Sequence, residues 1–430
     1  MASLPPPPSG THPPVLATAP QPTAPQPTAP PPLDRGGIMP FLSPYEQSYV
    51  KGLKRKERSD LARVLKRPLA ASCTPLRVQV LQSDLPDAVK VQIFNELRAP
   101  SDKYVTWVKK VIQLPMGRLR HPDFVSLPVR EAVARAQSVM DSHISGHSHA
   151  KREVLKMVCQ MQAGGTCGSA YSIGLEGPPG TGKTYFAKEA IPKALDRKLV
   201  TIPLGGATDV SFMLGHIYTY EGAKEGRLAA ALMEAKCANP VIFFDEVDKI
   251  SHTEKGAEIV STLIHLIDPS ANACLRDRYL HGIDLDFSKC TFVFSYNDPT
   301  AISPILLDRI KRISMPSPTD EERSAITRTH ILPRAQRRLN THLGVSEEAL
   351  GVILGRACGG MRGVEKDLDH VLAAAQLCVL CDDVTLAGLE EGTKVLDAQS
   401  LITSEFACGI VASLSESPYA SPPPPAGMYT

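Results

Sequence analysis

Residues 177–184 have the sequence Gly-Pro-Pro-Gly-Thr-Gly-Lys-Thr, a complete G-x-x-x-x-G-K-[ST] phosphate-binding loop. The glycines let backbone N–H groups turn towards a β-phosphate, Lys183 can reach the β and γ oxygens, and the Thr184 hydroxyl can hold Mg²⁺. The stretch predicts that the chain binds a nucleoside triphosphate. The predicted binding residues of the loop are Gly177, Pro178, Pro179, Gly180, Thr181, Gly182, Lys183 and Thr184.

The sequence around this loop predicts an α/β fold. An apolar run precedes the loop, and residues 185–190 have the pattern of a helix whose N-terminus faces the phosphates. Further apolar runs alternate with helical segments up to residue 316, which is typical of a parallel sheet covered on both faces. The five predicted strands are 171–175, 199–204, 240–244, 290–295 and 313–315.

A second nucleotide signature lies in the third of these runs. Four apolar residues, 241–244, end in the adjacent acids Asp245 and Glu246. A buried strand that ends in two carboxylates must keep them solvated, paired or metal-bound. We expect Asp245 to bind nucleotide through Mg²⁺ and Glu246 to orient the attacking water. The alternative is a strand that simply reaches the surface.

Three further polar residues are candidates for catalysis. Asn297 follows the fourth strand and can bond the γ-phosphate or the attacking water, although alone it would be a turn residue. Arg309 follows a helical segment and can project into a neighbouring subunit as an arginine finger, or form a surface salt bridge with Asp308 or another acid. Arg362 begins a helix after two glycines and can reach the γ-phosphate.

Composition narrows the class of protein further. The 430 residues carry a formal net charge of only +2, so electrostatics favour neither nucleic acid nor membrane as a partner. No apolar run is long enough to span a bilayer, and the N-terminus lacks a secretory signal. We expect a soluble intracellular protein, cytoplasmic or nuclear. Its ten cysteines are expected to be reduced, and the C-x-x-C at Cys378 and Cys381 is expected to pack in a helix rather than bind zinc.

The chain divides into six predicted parts by its composition. A Pro-rich leader is too poor in core residues to fold, and a basic run at 51–67 is either a solvated helix face or a nuclear or anionic-surface contact. His143, His147 and His149 are closely spaced, and we favour a structural role for them over metal binding. The predicted parts are the leader 1–40, a basic segment 41–84, a helical neck 85–150, the α/β ATPase domain 151–317, a small helical lid 318–392 and a Ser/Pro-rich tail 393–430.

Over about residues 85–380 the chain resembles the ATPase part of Lon, the ATP-dependent protease of the AAA+ class. The most specific matching residues are 177–184, 205–209, 215–216, 219–220, 245–249, 268–269, 306–309, 332–333 and 360–365. The resemblance implies an AAA+ P-loop NTPase with a five-stranded parallel sheet and a helical lid, acting as a ring, usually a hexamer, that pulls polypeptide through a pore. By this resemblance Asn297 is sensor 1, Arg309 the finger, Arg362 sensor 2 and Tyr220 the aromatic pore-loop residue.

Two departures from the family are expected to matter. Glu221 follows Tyr220 where the family has an apolar residue, so substrate preference is expected to differ. We also expect the family's N-terminal substrate domain and its C-terminal Ser/Lys peptidase domain to be absent, and we do not expect Lys394 with Ser400 or Ser404 to form such a dyad.

These residues predict an ATPase that uses ATP and Mg²⁺ to unfold or remodel polypeptides without cutting them. One alternative is a motor subunit that works with a separate peptidase. Another is a nucleotide-switched scaffold or assembly factor. A nucleic-acid motor is disfavoured because binding a phosphate backbone requires basic side chains. Residues 205–226 contain only Lys224 and His216 as basic residues.

Overall fold

The computed structural model describes residues 76–98, 100–121, 126–162, 171–207, 209–218, 220, 222–356, 360–390, 392–397 and 401–416. The predicted leader 1–40, residues 41–75 of the basic segment and the end of the tail from 417 lie outside the described residues. So do Glu221 and Ser400, which the sequence singled out.

The central element is a five-stranded sheet in the order β2-β3-β6-β1-β7, in which every pairing is parallel. The α/β prediction with five parallel strands is therefore confirmed. Two short strand pairs, β4–β5 and β8–β9, were not predicted. The strands are β1 Tyr171–Glu176, β2 Leu199–Pro203, β3 Val241–Asp245, β4 Leu275–Arg276, β5 Asp284–Leu285, β6 Thr291–Tyr296, β7 Lys311–Ser314, β8 Gly344–Val345 and β9 Leu401–Ile402.

Helices pack around this sheet, and further helices precede and follow it in the sequence. We label three consecutive helical stretches as one helix, α6, of which the middle stretch is π-helical. Helix α11 is defined in the same way. The helices are α1 Leu76–Gln82, α2 Asp87–Glu96, α3 Asp102–Val111, α4 Val129–His143, α5 Ser148–Gln162, α6 Lys183–Tyr185 with Phe186–Ala190 and Ile191–Ala194, α7 Ser211–Leu214, α8 Arg227–Ala235, α9 Glu254–Ile267, α10 Pro304–Asp308, α11 Asp320–Ile326 with Thr327–Ile331 and Leu332–Leu339, α12 Glu347–Arg356, α13 Met361–Cys381 and α14 Ser404–Glu416.

The central strands are apolar throughout because both faces of the sheet are covered. In β3, Ile242 and Phe244 join the hydrophobic cluster on one face, whereas Val241 and Phe243 join the cluster on the other. Successive side chains of a strand point to opposite faces, so a continuous apolar run is what two covered faces require. Helices α1–α3 contribute to the first cluster and α4–α6 to the second.

The strand order sets the position of the site. Strand β6 lies between β3 and β1, and all three run in the same direction. Asp245 ends β3, Asn297 follows β6, and the phosphate-binding loop follows β1, so these groups meet at the carboxyl edge of the sheet. This edge is where ligands bind in open α/β sheets.

The lid is larger than the sequence predicted, and we define it as residues 318–416. A Ser/Pro-rich tail was predicted from residue 393, but β9 pairs in parallel with β8, and α14 packs on α12 and α13. The structure of residues 401–416 differs from that prediction, because they form β9 and α14 and their apolar residues pack in the lid core. The buried residues of this segment belong to the lid core, and those in α14 have helical spacing: Ile402 of β9, and Phe406, Ala407, Ile410 and Val411 of α14.

Within the described ranges, no helix is both long and apolar enough to cross a bilayer. The longest, α13, has 21 residues and contains Arg362, Glu365, Lys366, Asp367 and Asp369.

Candidate nucleotide-binding site

A cavity of about 430 Å³ lies between the carboxyl edge of the sheet and the lid. Its wall contains predicted site residues from four separate parts of the chain. Among them are Pro179, Gly180, Thr181, Gly182, Lys183, Thr184, Asp245, Glu246, Asn297 and Arg362. Gly177 and Pro178 stand at its base, where their carbonyls accept from Lys183. The structure thus brings the phosphate loop, the two acids, Asn297 and Arg362 to one place.

Glycine is required at two kinds of position in the loop. Gly182 has a φ of 90°, a left-handed conformation that strains other residues. At Gly177 an added Cβ would lie 2.1 Å from the carbonyl oxygen of Met315, so only glycine lets β7 approach. The backbone conformation at these two glycines therefore contributes to the turn of the loop.

Lys183 is the positively charged centre of the site. Its Nζ donates to the carbonyls of Gly177 at 2.6 Å and Pro178 at 2.7 Å, and to Oδ1 of Asn297 at 2.9 Å. Burial lowers the pKa of Lys183 to about 8, against the opposing attraction of Asp248. The bond to Asn297 joins the phosphate loop directly to the end of β6.

The two acids of β3 are held in different ways. Ser295 donates its hydroxyl to Oδ1 of Asp245 at 2.5 Å and accepts the backbone N–H of Glu246 at 3.2 Å. Glu246 has a φ of 59°, which is uncommon for a residue with a side chain and recurs at functional sites. A Cβ on Gly205 would lie 2.3 Å from Oε2 of Glu246, so the glycine leaves room for this carboxylate.

Asp248 is a site residue that the sequence analysis did not single out. Its Oδ2 accepts the backbone N–H groups of Asn297 at 3.0 Å and Asp298 at 3.3 Å, which fixes the turn after β6. Its other oxygen has no hydrogen-bond partner among the described residues and belongs to a residue of the cavity wall. The only sequence signal was its place two residues after Glu246. Ser295 was missed for a similar reason, because a lone serine in a strand is unremarkable.

The lid closes the cavity from the other side. The N–H of Met361, the first residue of α13, donates to the carbonyl of Gly180 at 3.2 Å. Arg362 follows it and lines the cavity. Arg334 of α11 also lines the cavity and pairs with Glu365 at 2.6 Å. Nothing in the sequence had distinguished Arg334 from its basic neighbours.

Histidines line part of the cavity, and one of them contacts the phosphate loop. His147 contacts the carbonyl of Thr181 through Nε2 at 2.9 Å, and burial lowers its pKa. His143 and His330 also line the cavity, whereas His149 is exposed on α5. Ser145 contacts Nε2 of His330 at 3.2 Å and so joins the segment before α5 to the lid. Two of the three predicted histidines therefore face the cavity.

Two predicted residues lie away from this cavity. Arg309 follows α10, and its Nη2 lies 3.5 Å from Oδ2 of Asp268. The surface ion pair that the sequence allowed is thus present with Asp268 rather than Asp308. Tyr220 is 65% exposed. Its neighbour Glu221 lies outside the described residues.

The oxygen groups of the site fit Mg²⁺ better than a transition metal. The Thr184 hydroxyl and the Asp245 carboxylate both line the cavity, and Mg²⁺ is commonly held by one or two such groups together with substrate phosphates. In the part of the chain that the structure describes, no three His, Cys, Asp or Glu side chains are grouped as metal ligands. Cys378 is buried in the lid core and Cys381 is exposed.

The lowered pKa of Lys183 leads to a first prediction. Anionic phosphates bind the protonated amine, so ATP affinity should fall as pH rises above about 8, by at most about tenfold per pH unit. The dissociation constant of a fluorescent ATP analogue, measured between about pH 7 and pH 9.5, checks this. Lys183→Arg is the control because arginine stays charged throughout this range. Equal pH slopes for the two proteins would contradict the assignment.

Comparison with known proteins agrees with this geometry. Residues 173–317 match the model of the "ATPase family associated with various cellular activities (AAA)". The chain is 30% identical over 359 residues to a protein named Lon protease from Salinispora arenicola, covering 78% of this chain and 45% of that protein. It is 32% identical over 294 residues to Lon protease of Mycolicibacterium smegmatis, covering 64% of this chain and 36% of that protein.

A plant relative gives the same result. Lon protease homolog 3, mitochondrial, from Arabidopsis thaliana is 30% identical over 287 residues, which are 66% of this chain and 30% of that protein. The chain spans less than half the length of these relatives. The matched domain, the parallel sheet and the site at its carboxyl edge together show that the chain contains an AAA+ ATPase module of the Lon family.

Proposed function

We propose that this chain hydrolyses ATP in the cavity and uses the turnover to unfold or remodel polypeptides, working as a ring of identical subunits. The observation that carries the proposal is the meeting of Lys183, Glu246, Asn297 and Arg362 around one cavity. These side chains supply a phosphate ligand, a water-orienting base, a polar sensor and a cation from the lid.

The chemical roles follow from the positions. Glu246 orients a water whose oxygen attacks the γ-phosphorus, and accepts a proton as the bond to the β,γ-bridging oxygen breaks. Lys183 and Arg362 stabilise the negative charge on the phosphate oxygens, and Asn297 positions the γ-phosphate or the water. Mg²⁺, held by Thr184 and Asp245, supplies further charge neutralisation when bound. Ser295 and Asp248 keep these groups in place.

The ring is proposed from the position of Arg309. An arginine that follows α10 outside its own cavity, with part of its side chain exposed, is available to a neighbouring subunit. An arginine finger supplied by a second molecule stabilises the charge of phosphoryl transfer. A closed head-to-tail ring, which we take to be a hexamer, gives every cavity such an arginine.

Polypeptide is the substrate that best fits the exposed Tyr220. An aromatic ring contacts side chains of many kinds through its apolar face. The relatives are named as proteases, and proteases act on polypeptides. Ser404 donates to Glu348 at 3.3 Å in the lid, and we assign no peptide-bond cleavage to residues 76–416.

A folded fluorescent protein with an unstructured tail tests the proposal. We expect its fluorescence to fall when ATP is present and to persist with a non-hydrolysable analogue, while the reporter stays intact on a gel. Fluorescence loss with cleavage would instead support an ATP-dependent protease. Persistent fluorescence during ATP hydrolysis would contradict a motor and support the scaffold hypothesis.

Tyr220→Ala is predicted to abolish stimulation of ATP hydrolysis by an unfolded polypeptide, because the aromatic contact with substrate is lost. Steady-state ATP hydrolysis with and without the polypeptide measures this. Tyr220→Phe keeps the ring and should retain most of the stimulation. Full stimulation in the alanine variant would remove Tyr220 from substrate binding.

A further inference from the structure

The two sides of the loop that carries Tyr220 contact each other at its base, near Gly215 and Gly226. The His216 N–H donates to the Lys224 carbonyl at 3.2 Å, across the two sides of the loop. A Cβ on Gly226 would lie 2.1 Å from the Met213 carbonyl oxygen, so the two sides are in close backbone contact. The position of the loop is therefore set where residues 213–216 meet residues 224–226.

Asp277, in the turn between β4 and β5, holds this base. Its Oδ2 accepts the Gly226 N–H at 2.8 Å, and its Oδ1 accepts the N–H groups of Tyr279 at 2.8 Å and Leu280 at 3.1 Å. The residue is only 3% exposed, and burial raises its pKa to about 6. One side chain thus ties the substrate loop to a separate hairpin.

The other side of the loop is tied by backbone. The Arg278 N–H donates to the Leu214 carbonyl at 2.7 Å, so the β4–β5 turn bonds to both ends of the loop. These contacts join segments more than fifty residues apart, and none of them involves the nucleotide cavity.

Helix α3 of the neck supports the same assembly. Trp107 donates its Nε1–H to the Tyr279 carbonyl at 2.9 Å, and its ring lies 6.3 Å from that of Tyr218 within the loop. Lys110, one turn further along α3, pairs with Glu225 at 2.5 Å. The helix therefore contacts the loop at two points and the hairpin at one.

We propose that Asp277 is a positioning residue for the Tyr220 loop, and that α3 acts through Trp107 and Lys110 to couple the neck helices to that loop. The proposal rests on the proposed role of Tyr220 in gripping polypeptide. It adds a route by which a force or a partner acting on the neck helices changes how the loop binds polypeptide. This follows because α3 contacts both the loop and the β4–β5 hairpin that holds the base of the loop.

Hydrogen exchange of backbone amides tests this in the full chain. Asp277→Asn keeps an acceptor for Tyr279 and Leu280 but cannot accept the Gly226 N–H with its amide group. We expect exchange at Gly226 and His216 to accelerate about tenfold or more, because the base of the loop opens more often. Trp107→Phe, which keeps an aromatic side chain but removes the Nε1–H, is expected to accelerate exchange of the same amides.

Asp284→Asn is the matched control, because Asp284 lies on the same hairpin and pairs with the exposed Arg276 rather than with the Tyr220 loop. Exchange in residues 177–184 should be alike in all the variants, which separates a loop effect from general destabilisation. Unchanged loop exchange in Trp107→Phe would overturn the coupling through α3, even if Asp277→Asn failed to fold. This readout uses no substrate, so failure of the proposed motor function would leave its result intact.

The functional consequence is measured by polypeptide-stimulated ATP hydrolysis. Lys110→Gln and Trp107→Phe should both raise the polypeptide concentration needed for half-maximal stimulation, by about threefold to tenfold, whereas Asp284→Asn should not. Accelerated loop exchange without any change in stimulation would show that the contacts are structural and would overturn the coupling.

Discussion

Replacing Glu246 by glutamine is expected to lower the turnover number for ATP by about 10²–10⁴-fold, because the amide cannot accept a proton from the attacking water. Binding of ATP should remain close to that of the unaltered chain. Glutamine has nearly the same shape as glutamate, and the Lys183 contacts that surround the phosphate loop do not involve Glu246. Phosphate release and the dissociation constant of a fluorescent ATP analogue should be measured on the same preparation.

Glu258→Gln is the matched control, since Glu258 is exposed on α9 and away from the cavity. It should leave both quantities unchanged. A Glu246→Gln protein that turned over ATP within about threefold of the unaltered rate would transfer the role of base to another group. Loss of ATP binding in that variant would instead show that Glu246 contributes to nucleotide affinity.

Arg309→Ala is expected to reduce ATP hydrolysis by about 10³-fold while ATP still binds, because the charge that develops on the transferred phosphoryl group loses its cation. The decisive measurement mixes two inactive proteins. Lys183→Ala subunits lack the phosphate ligand but supply Arg309, and Arg309→Ala subunits bind ATP but lack the finger. A mixed ring should regain part of the activity.

Arg276→Ala is the control for this experiment, because Arg276 also forms a surface ion pair, with Asp284 at 2.8 Å. It should have little effect, as expected for exposed pairs. If mixing restored nothing although the mixed subunits assembled, Arg309 would act within its own subunit, through its pair with Asp268.

The sheet was predictable because its strands are buried on both faces. Residues 241–244 form an unbroken apolar run, and such a run between helical segments is typical of a strand in a parallel sheet. The observed β3 is Val241–Asp245, one residue from the predicted bounds, and β7 begins two residues before its prediction. The phosphate loop could be assigned because glycine spacing and Lys183 together define a backbone shape.

The remaining parts depend on contacts between distant segments. Asp248 matters because it accepts from Asn297 and Asp298, 49 and 50 residues further along the chain. The lid extends further than predicted because Phe406 and its neighbours pack against lid residues that lie far from them in the sequence. Amino-acid composition carries no information about either of these long-range contacts. The spacing of apolar residues in α14 was the signal that could have corrected the boundary.

Steady-state ATP hydrolysis, measured against increasing concentrations of an unfolded polypeptide, tests the central claim most directly. We predict a saturable rise in the rate for the unaltered chain, no rise for Tyr220→Ala, and negligible hydrolysis at any concentration for Glu246→Gln. A rate that stays constant as polypeptide is added, in a preparation shown to bind and hydrolyse ATP, would contradict an ATPase that works on polypeptide.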